Sequence, residues 1–308
     1  MTSFTPELFL GTAPIRRLKH AILHGTTYLR KDAKIIFVCG ANSVDGWTSN
    51  REKLLNYSER HLTSFKFFRA EKVFEALEGT TDSDLLSIED DLGKFSDCII
   101  VICESESAFA ELGAFALSRD LAKQLLVIND QNHAASQSFI NLGPIKKADR
   151  VSTFKPTIFT DFGAITRSIP ALESRLNRIP HKRRQAVQIT GQRFDQINRK
   201  LRLLFVADLI NLLGPISPKE IVAIVKEITT STRIKISTEL ALGVGLGLFS
   251  EFRDENNHRF FFHSVDEPAH LFDYGDTTRS ELRSEIYRVY RQRDRVRLRN
   301  LQEQVFGT

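Results

Sequence analysis

Short apolar runs alternate with amphipathic stretches through the first half of the chain. Lys34–Cys39 (KIIFVC) is a β-branched run that stops at Gly40, and Asp97–Cys103 (DCIIVIC) is the clearest run of the same kind. Phe65–Arg69 and Leu125–Ile128 complete the set, while Trp47–His61, Leu85–Lys94 and Ser107–Gln124 carry helical spacing between them. Strands that are apolar throughout, alternating with helices, predict an α/β fold with a parallel sheet covered on both faces. Such sheets bind ligands in the loops at the carboxyl ends of their strands. Three loops qualify here, Gly40–Gly46, Glu104–Ser107 and Asn129–Pro144.

From about Asp161 the pattern turns helical. Residues 161–200 are expected to form a helical linker after a first domain of residues 1–160. Arg183–Leu213 reads as one long helix stopped by Gly214-Pro215. Ser217 and Pro218 then supply an N-cap and a first helical residue for the apolar stripe Ile221–Ile228. Ser237–Gly247 reads as a third helix, and Leu248–Arg253 and His258–His263 flank a polar tip at Asp254–Asn257, a hairpin signal. Short helices followed by a hairpin predict a winged-helix-like domain over residues 201–308. A dimerisation or protein-docking module of the same make-up is the alternative. Arg279–Gln304 reads as one further helix with eight arginines from Arg279 to Arg299. Arg279, Arg283, Arg291 and Arg295 are candidate phosphate contacts, and a solvated helix face is the competing reading.

Charge supports that division. Residues 1–150 hold 18 basic and 20 acidic side chains, and residues 151–308 hold 25 and 18. A basic second half suits a polyanionic partner. No apolar run approaches the ~18 residues of a membrane span, and no secretory signal opens the chain, so a cytoplasmic protein is expected. Cys39, Cys98 and Cys103 fit no zinc spacing and lie in or beside strand-like runs, which predicts buried thiols and no bound metal.

The segment most suited to chemistry is DCIIVICESESAFAELGAFA, Asp97–Ala116. It runs from a strand through a polar turn into a helix whose early turns carry Glu111, where the helix N-terminus favours a carboxylate. Ser107 lies one turn before it. By itself, a glutamate near a helix start is more often a cap or a solvated residue. The pattern S-x-x-E-L-G-A-F-A after a strand, however, resembles the nucleophile segment of nucleoside 2-deoxyribosyltransferases. FVCGANSVDGW, LLSIEDDLGKFSDCIIVICES, AFAELGAFA and SFINLGPIKK together resemble the effector proteins of retrons, which join such a domain to a DNA-binding, winged-helix-like one. The resemblance covers about residues 15–150 by motif and is architectural beyond residue 160.

That resemblance implies a Rossmann-like or flavodoxin-like sheet, and an N-glycosidic bond broken by attack of Glu111 on the sugar. It implies substrate contacts from Gly40, Ala41, Asn42, Trp47 and Ser107, with Trp47 either stacking on a base or packing on the sheet. Glu89 would contact the base, and Asn141 the sugar or phosphate, unless Asn141 only shapes a turn. The transferases carry an aspartate six residues before the nucleophile, where this chain has Ser105, and Glu104 is the candidate for the missing role. This departure weakens the case for deoxyribosyl exchange between bases and leaves hydrolysis of a larger nucleotide open, and the resemblance to retron effectors implies NAD as the target. No G-x-G-x-x-G motif is present, so NAD is not indicated as a redox cofactor, and no cofactor is expected. The implied partners are the retron reverse transcriptase and its RNA–DNA hybrid, with assembly into homo-oligomers or a larger complex. Alternatives are a deoxyribosyltransferase and a non-catalytic, nucleotide-sensing DNA-binding regulator.

Overall fold

The computed structural model describes residues 5–30, 34–71, 73, 92–180, 184–263, 270–275 and 277–306. They divide into two compact units. One is built from the described residues of Ala33–Glu75 and Thr81–His181, the other from those of Met1–Asp32 and Lys182–Thr308. The second unit therefore draws on both ends of the chain. Its first elements are helices α1 (Pro6–Leu10) and α2 (Ala13–His24) and strand β1 (Thr27–Leu29). In α2, Ile15, Leu18 and Ile22 fall at helical spacing and are buried.

The sheet unit follows. Strand β2 (Lys34–Cys39) leads to helix α3 (Asn50–His61) and strand β3 (Phe65–Phe68). Strand β4 (Cys98–Ile102) is followed by helix α4 (Glu106–Leu117), and strand β5 (Leu125–Asp130) by helix α5 (Lys146–Val151). Strand β6 (Ile158–Thr160) and helix α6 (Ile169–Leu176) close the unit. All five strands are parallel, in the order β3-β2-β4-β5-β6. Ile36, Val38, Ile100, Ile102, Leu126 and Ile128 join one core with Leu54 and Leu55 of α3 and Ile169, Leu172 and Leu176 of α6. On the opposite side Phe37 meets Phe68 and, edge to face, Phe115 of α4. Both faces are thus covered, which is why β2 and β4 are buried at every position.

This is the mixed α/β architecture with a parallel sheet that the apolar runs predict. The chain winds one way from β2 to β3 and the other way from β4 to β6. The order reverses between β2 and β4, the place where parallel sheets open a crevice at their carboxyl ends.

In the other unit, strand β7 (Gln185–Ala186) pairs with β1, which also pairs with strand β10 (Phe272–Tyr274). Between them lie helices α7 (Arg199–Leu213), α8 (Pro218–Ile228) and α9 (Ser237–Gly245) and strands β8 (Ser250–Arg253) and β9 (Arg259–Phe262). Helices α10 (Arg279–Arg293) and α11 (Arg295–Phe306) end the described chain. β8 and β9 form an antiparallel hairpin, and Ile216, between α7 and α8, exchanges backbone hydrogen bonds with Phe261 of β9. Gly214 permits this contact, since a Cβ there would meet the Phe261 carbonyl oxygen at 2.9 Å.

Two of the expected helices change. The helix expected from Arg183 starts at Arg199, because residues 185–186 join a sheet, Gly191 turns the chain with φ +74°, and Asn198 supplies the cap. The helix expected over Arg279–Gln304 is two helices, broken at Asp294 with φ −148° and ψ 63°. Asp294 Oδ1 accepts from the Arg297 backbone N–H, and Oδ2 from Nε of the same residue.

Two buried charges hold these helices. Asp208 of α7 is fully buried and accepts from the N–H groups of Leu271 and Phe272, from the Tyr274 hydroxyl, and from Arg279 at 2.7 Å. Arg297, 4% exposed, makes a two-pronged ion pair with buried Glu220 at 2.9 and 3.0 Å, and its guanidinium lies over the Tyr290 ring. Burial pushes the Arg297 pKa down, but Glu220, Tyr290 and Asp294 together more than offset this and the net shift is upward. Glu220 also accepts from the backbone N–H of Ser217, so one carboxylate caps α8 and binds α11.

Arg297→Ala strands Glu220 in the interior and is expected to cost about 3–5 kcal/mol, read from the shift of the denaturant midpoint. The three thiols are buried, and burial raises the Cys103 pKa to about 12. The thiolate fraction of Cys103 is therefore very small at about pH 8 and grows only as pH climbs toward that value. Iodoacetamide should leave all three cysteines unmodified in the native protein at that pH and label them once it is unfolded, as counted by mass spectrometry.

Candidate functional site

Gly40 follows strand β2 directly and Glu104 lies two residues beyond the end of strand β4, at neighbouring strand ends where the strand order reverses. The four first N–H groups of a helix lack partners within it. At the start of α3, Glu104 meets part of that need. Its Oε2 accepts from the Asn50 N–H at 2.8 Å, and its Oε1 from the N–H groups of Arg51 at 2.9 Å and Ala41 at 3.2 Å. Ser49, the N-cap, accepts from the Glu52 N–H. A Cβ at position 40 would lie 3.0 Å from both Glu104 Oε1 and the Arg51 Cβ, so glycine lets the loop approach this carboxylate.

Arg51 holds the other side of the loop. It is buried and ion-paired with Glu71 at 2.9 Å, and it donates to Oδ1 of Asn42. Beyond Asn42, Val44 and Trp47 exchange backbone hydrogen bonds around Gly46, whose φ of +78° suits a residue without Cβ. Trp47 is 47% exposed, so of the two expected roles the structure favours a presented ring over packing on the sheet. Gly40, Ala41, Asn42 and Trp47 thus belong to one anchored loop.

Helix α4 starts beside that loop, capped by Ser105, which accepts from the Ala108 N–H. The Ser105 hydroxyl lies 3.1 Å from that of Ser107, an exposed residue. Ala108, Leu112 and Phe115 form the buried face, and Glu111 sits at its edge, partly buried and four residues after Ser107. Glu111 lies about 9 Å along the axis from Ser105, and Cα–Cβ bonds in a helix tilt back toward its N-terminus, here the crevice end.

Asn141 lies in the long loop after β5, in a segment that packs against α4. Its amide donates to the carbonyls of His133 at 2.7 Å and Ser136 at 2.9 Å, so its donors brace the loop. Of its two expected roles, turn shaping is the one this arrangement displays. Glu89 lies outside the described residues. Among the described residues, no group of three or more His, Cys, Asp and Glu is placed to hold a metal, and no helix is long and apolar enough to cross a membrane.

The candidate phosphate contacts of the other unit separate by environment. Arg279 is committed to buried Asp208, and Arg283 is half-buried. Arg291 and Arg295 are exposed, with Arg295 donating to the Arg291 carbonyl.

Residues 48–251 match the profile of a family described as "STM3845 retron effector protein", two thirds of this chain. The chain belongs to the retron effector family. It is 36% identical over 210 residues to an Escherichia coli protein named "Retron Ec73 putative ribosyltransferase/DNA-binding protein", covering 63% of this chain and 66% of that one. It is 33% identical over 111 residues to the Ec86 protein of Escherichia coli, which carries the same description, covering 36% of each. The chain thus spans just under two thirds of the first relative and about a third of the second.

In this effector the anchoring residues Arg51 and Glu71 were not among the sequence candidates. Arg51 had a legible signal. With Leu54, Leu55 and Ser58 it occupies the i, i+3, i+4, i+7 stripe that α3 buries, and a cation in such a stripe needs a partner. Glu71 had none, because its pairing depends on the fold. Since both Glu104 oxygens face N–H donors, an amide at this position must turn an NH₂ toward one of them. Glu104→Gln is therefore expected to destabilise the sheet unit by about 1.5–3 kcal/mol, measurable by urea unfolding. It should also disorder the Gly40–Trp47 loop, which limited proteolysis would detect.

Proposed function

We propose that this retron effector is an N-glycosidase acting on a nucleotide, with NAD as the substrate and Glu111 as the nucleophile. The observation that carries the proposal is the position of Glu111, a partly buried carboxylate on the helix leaving β4, at the point where the strand order reverses. Membership in a family with two relatives named "putative ribosyltransferase/DNA-binding protein" supports a glycosyl-transfer reaction.

In this scheme Glu111 attacks the anomeric carbon of the nicotinamide riboside. The carbon–nitrogen bond breaks, and its electron pair passes to the ring nitrogen, cancelling the positive charge there. Water then hydrolyses the glycosyl ester, giving ADP-ribose and free Glu111. The transition state is oxocarbenium-like, so a fixed carboxylate stabilises it before capturing it. Asn42 and Trp47 would hold the substrate in the loop anchored by Glu104 and Arg51. The sheet domain so described would be flavodoxin-like.

The order α7, Ile216, α8, α9, β8, β9 supports a winged-helix reading of the second unit, with nucleic acid as its ligand. Within a retron, the reverse transcriptase and its RNA–DNA product would restrain the activity until infection. A non-catalytic nucleotide sensor makes the opposite forecast for Glu111. Cells expressing the wild-type chain should lose NAD and accumulate ADP-ribose, whereas Glu111→Gln should cut the rate by several orders of magnitude. Metabolite profiling of the two strains, alone and with the retron components and phage, separates these readings. Unchanged NAD in every strain and condition would rule out the glycosidase.

A further inference from the structure

Given a nucleic-acid role for the second unit, the face that serves it is open to argument. A winged-helix domain that reads sequence does so through its third helix, with Arg, Lys, Asn or Gln reaching base edges. Here that helix is α9, STELALGVG, and its make-up is wrong for the task. Leu240, Ala241, Leu242, Gly243 and Gly245 are buried, and Glu239 is buried against Arg202 at 3.1 Å. Gly243 has no room for a side chain, since a Cβ there would lie 2.1 Å from the Phe249 ring. The exposed polar side chains of α9 are the short hydroxyls of Ser237 and Thr238.

Four exposed arginines cluster at the junction of α10 and α11, while Arg233 and Lys235, also exposed, precede α9 outside the helix. Leu282, Ile286 and Tyr290 bury one face of α10, which turns Arg288 and Arg291 outward, one turn apart. Arg293 and Arg295 flank the break at Asp294 and are exposed too. Asp294 is taken by Arg297, and Arg299 lies within 3.8 Å of Glu255 and 3.7 Å of Glu303. Among the described residues, no carboxylate pairs with Arg288, Arg291, Arg293 or Arg295. The Arg299–Glu255 contact also sets the hairpin tip beside α11.

We propose that the effector grips nucleic acid by its phosphates through Arg288, Arg291, Arg293 and Arg295 at the α10–α11 junction, without base reading by α9. The grip is therefore indifferent to sequence. Recognition of one particular retron product then has to come from the shape of that molecule or from another protein. Arg279 and Arg297, from the same arginine-rich stretch, contribute to the fold and not to this face.

The test uses the intact chain and fluorescence anisotropy with short DNA duplexes of two unrelated sequences, an RNA–DNA hybrid of matched length, and polyglutamate. The duplexes should bind with affinities within about threefold of each other, and polyglutamate much more weakly. Changing all four arginines to alanine should weaken duplex binding at least about tenfold and lower the slope of log K against log salt by about 3–4. Four lysines in their place should restore that slope, and Ser237→Ala with Thr238→Ala should bind as wild type.

A four-alanine variant with wild-type affinity and slope would overturn the assignment. So would strong discrimination between the duplexes that disappears in the α9 variant. Polyglutamate binding as tightly as duplex would point to an acidic protein partner instead. If the wild type binds none of the nucleic acids, the nucleic-acid role of the whole unit falls with the assignment.

Discussion

The carboxylate of Glu104 sits where three requirements of the sheet unit meet. A parallel sheet leaves its strand ends bare at the crevice, a following helix begins with unpaired N–H groups, and the loop after β2 must hold one shape. Glu104 answers all three because β4 pairs with β2 in a register that sets Cys39 opposite Val101. That register carries the end of β4 to the turn after β2. The N–H groups of Ala41, Asn50 and Arg51 then converge on one side chain. A slip of the pairing would remove these bonds and also mismatch the alternating faces of β4, whose Ile100 and Ile102 belong to the core beneath α3 and α6.

The second unit relies on a different device, charge taken into the interior and fully paired. Asp208 gathers two strand N–H groups, a tyrosine and an arginine, tying α7 to β10 and the start of α10. Glu220 and Arg297 tie α8 to α11 in the same way. Ion pairs so placed give modest net stability, since desolvation opposes the attraction, but every wrong packing leaves a bare charge buried. They set the arrangement of the helices more than they strengthen it. Arginines spent inside also do not count toward an interaction surface, so net charge overstates what this unit offers a partner.

The sheet was legible because burial on both faces leaves β2, β4 and β5 as short, nearly continuous apolar runs rich in β-branched residues. β2, β4 and β5 appear in the sequence almost at their observed bounds. Short strands were not legible. β1, β7 and β10 have three, two and three residues and exist because they pair with one another across most of the chain. That pairing also brings the N-terminal helices to the C-terminal unit, whereas sequence order suggested that they belong with the sheet. The single long helix expected from Arg183 failed for a related reason, since residues 185–186 find a strand partner near residue 28. At the site, Glu104 and the Gly40 loop were legible as positions. The bonds joining them were not, because they depend on strand register.

What Glu104 does in the structure bears on the chemistry proposed for Glu111. The transferases that this chain resembles carry an aspartate at the position of Ser105, and here that serine caps α4 through its hydroxyl. Glu104, the neighbouring carboxylate, has both oxygens engaged by backbone N–H groups. A group so placed anchors the loop after β2, with three N–H donors on its two oxygens. A neutral purine or pyrimidine leaves slowly from a sugar unless it is protonated. Nicotinamide in NAD leaves without a proton, since its ring nitrogen is already cationic and becomes neutral as the bond breaks. The proposal of NAD for this site rests on that property of its leaving group, and the serine at position 105 in place of the transferase aspartate weakens the case for base exchange.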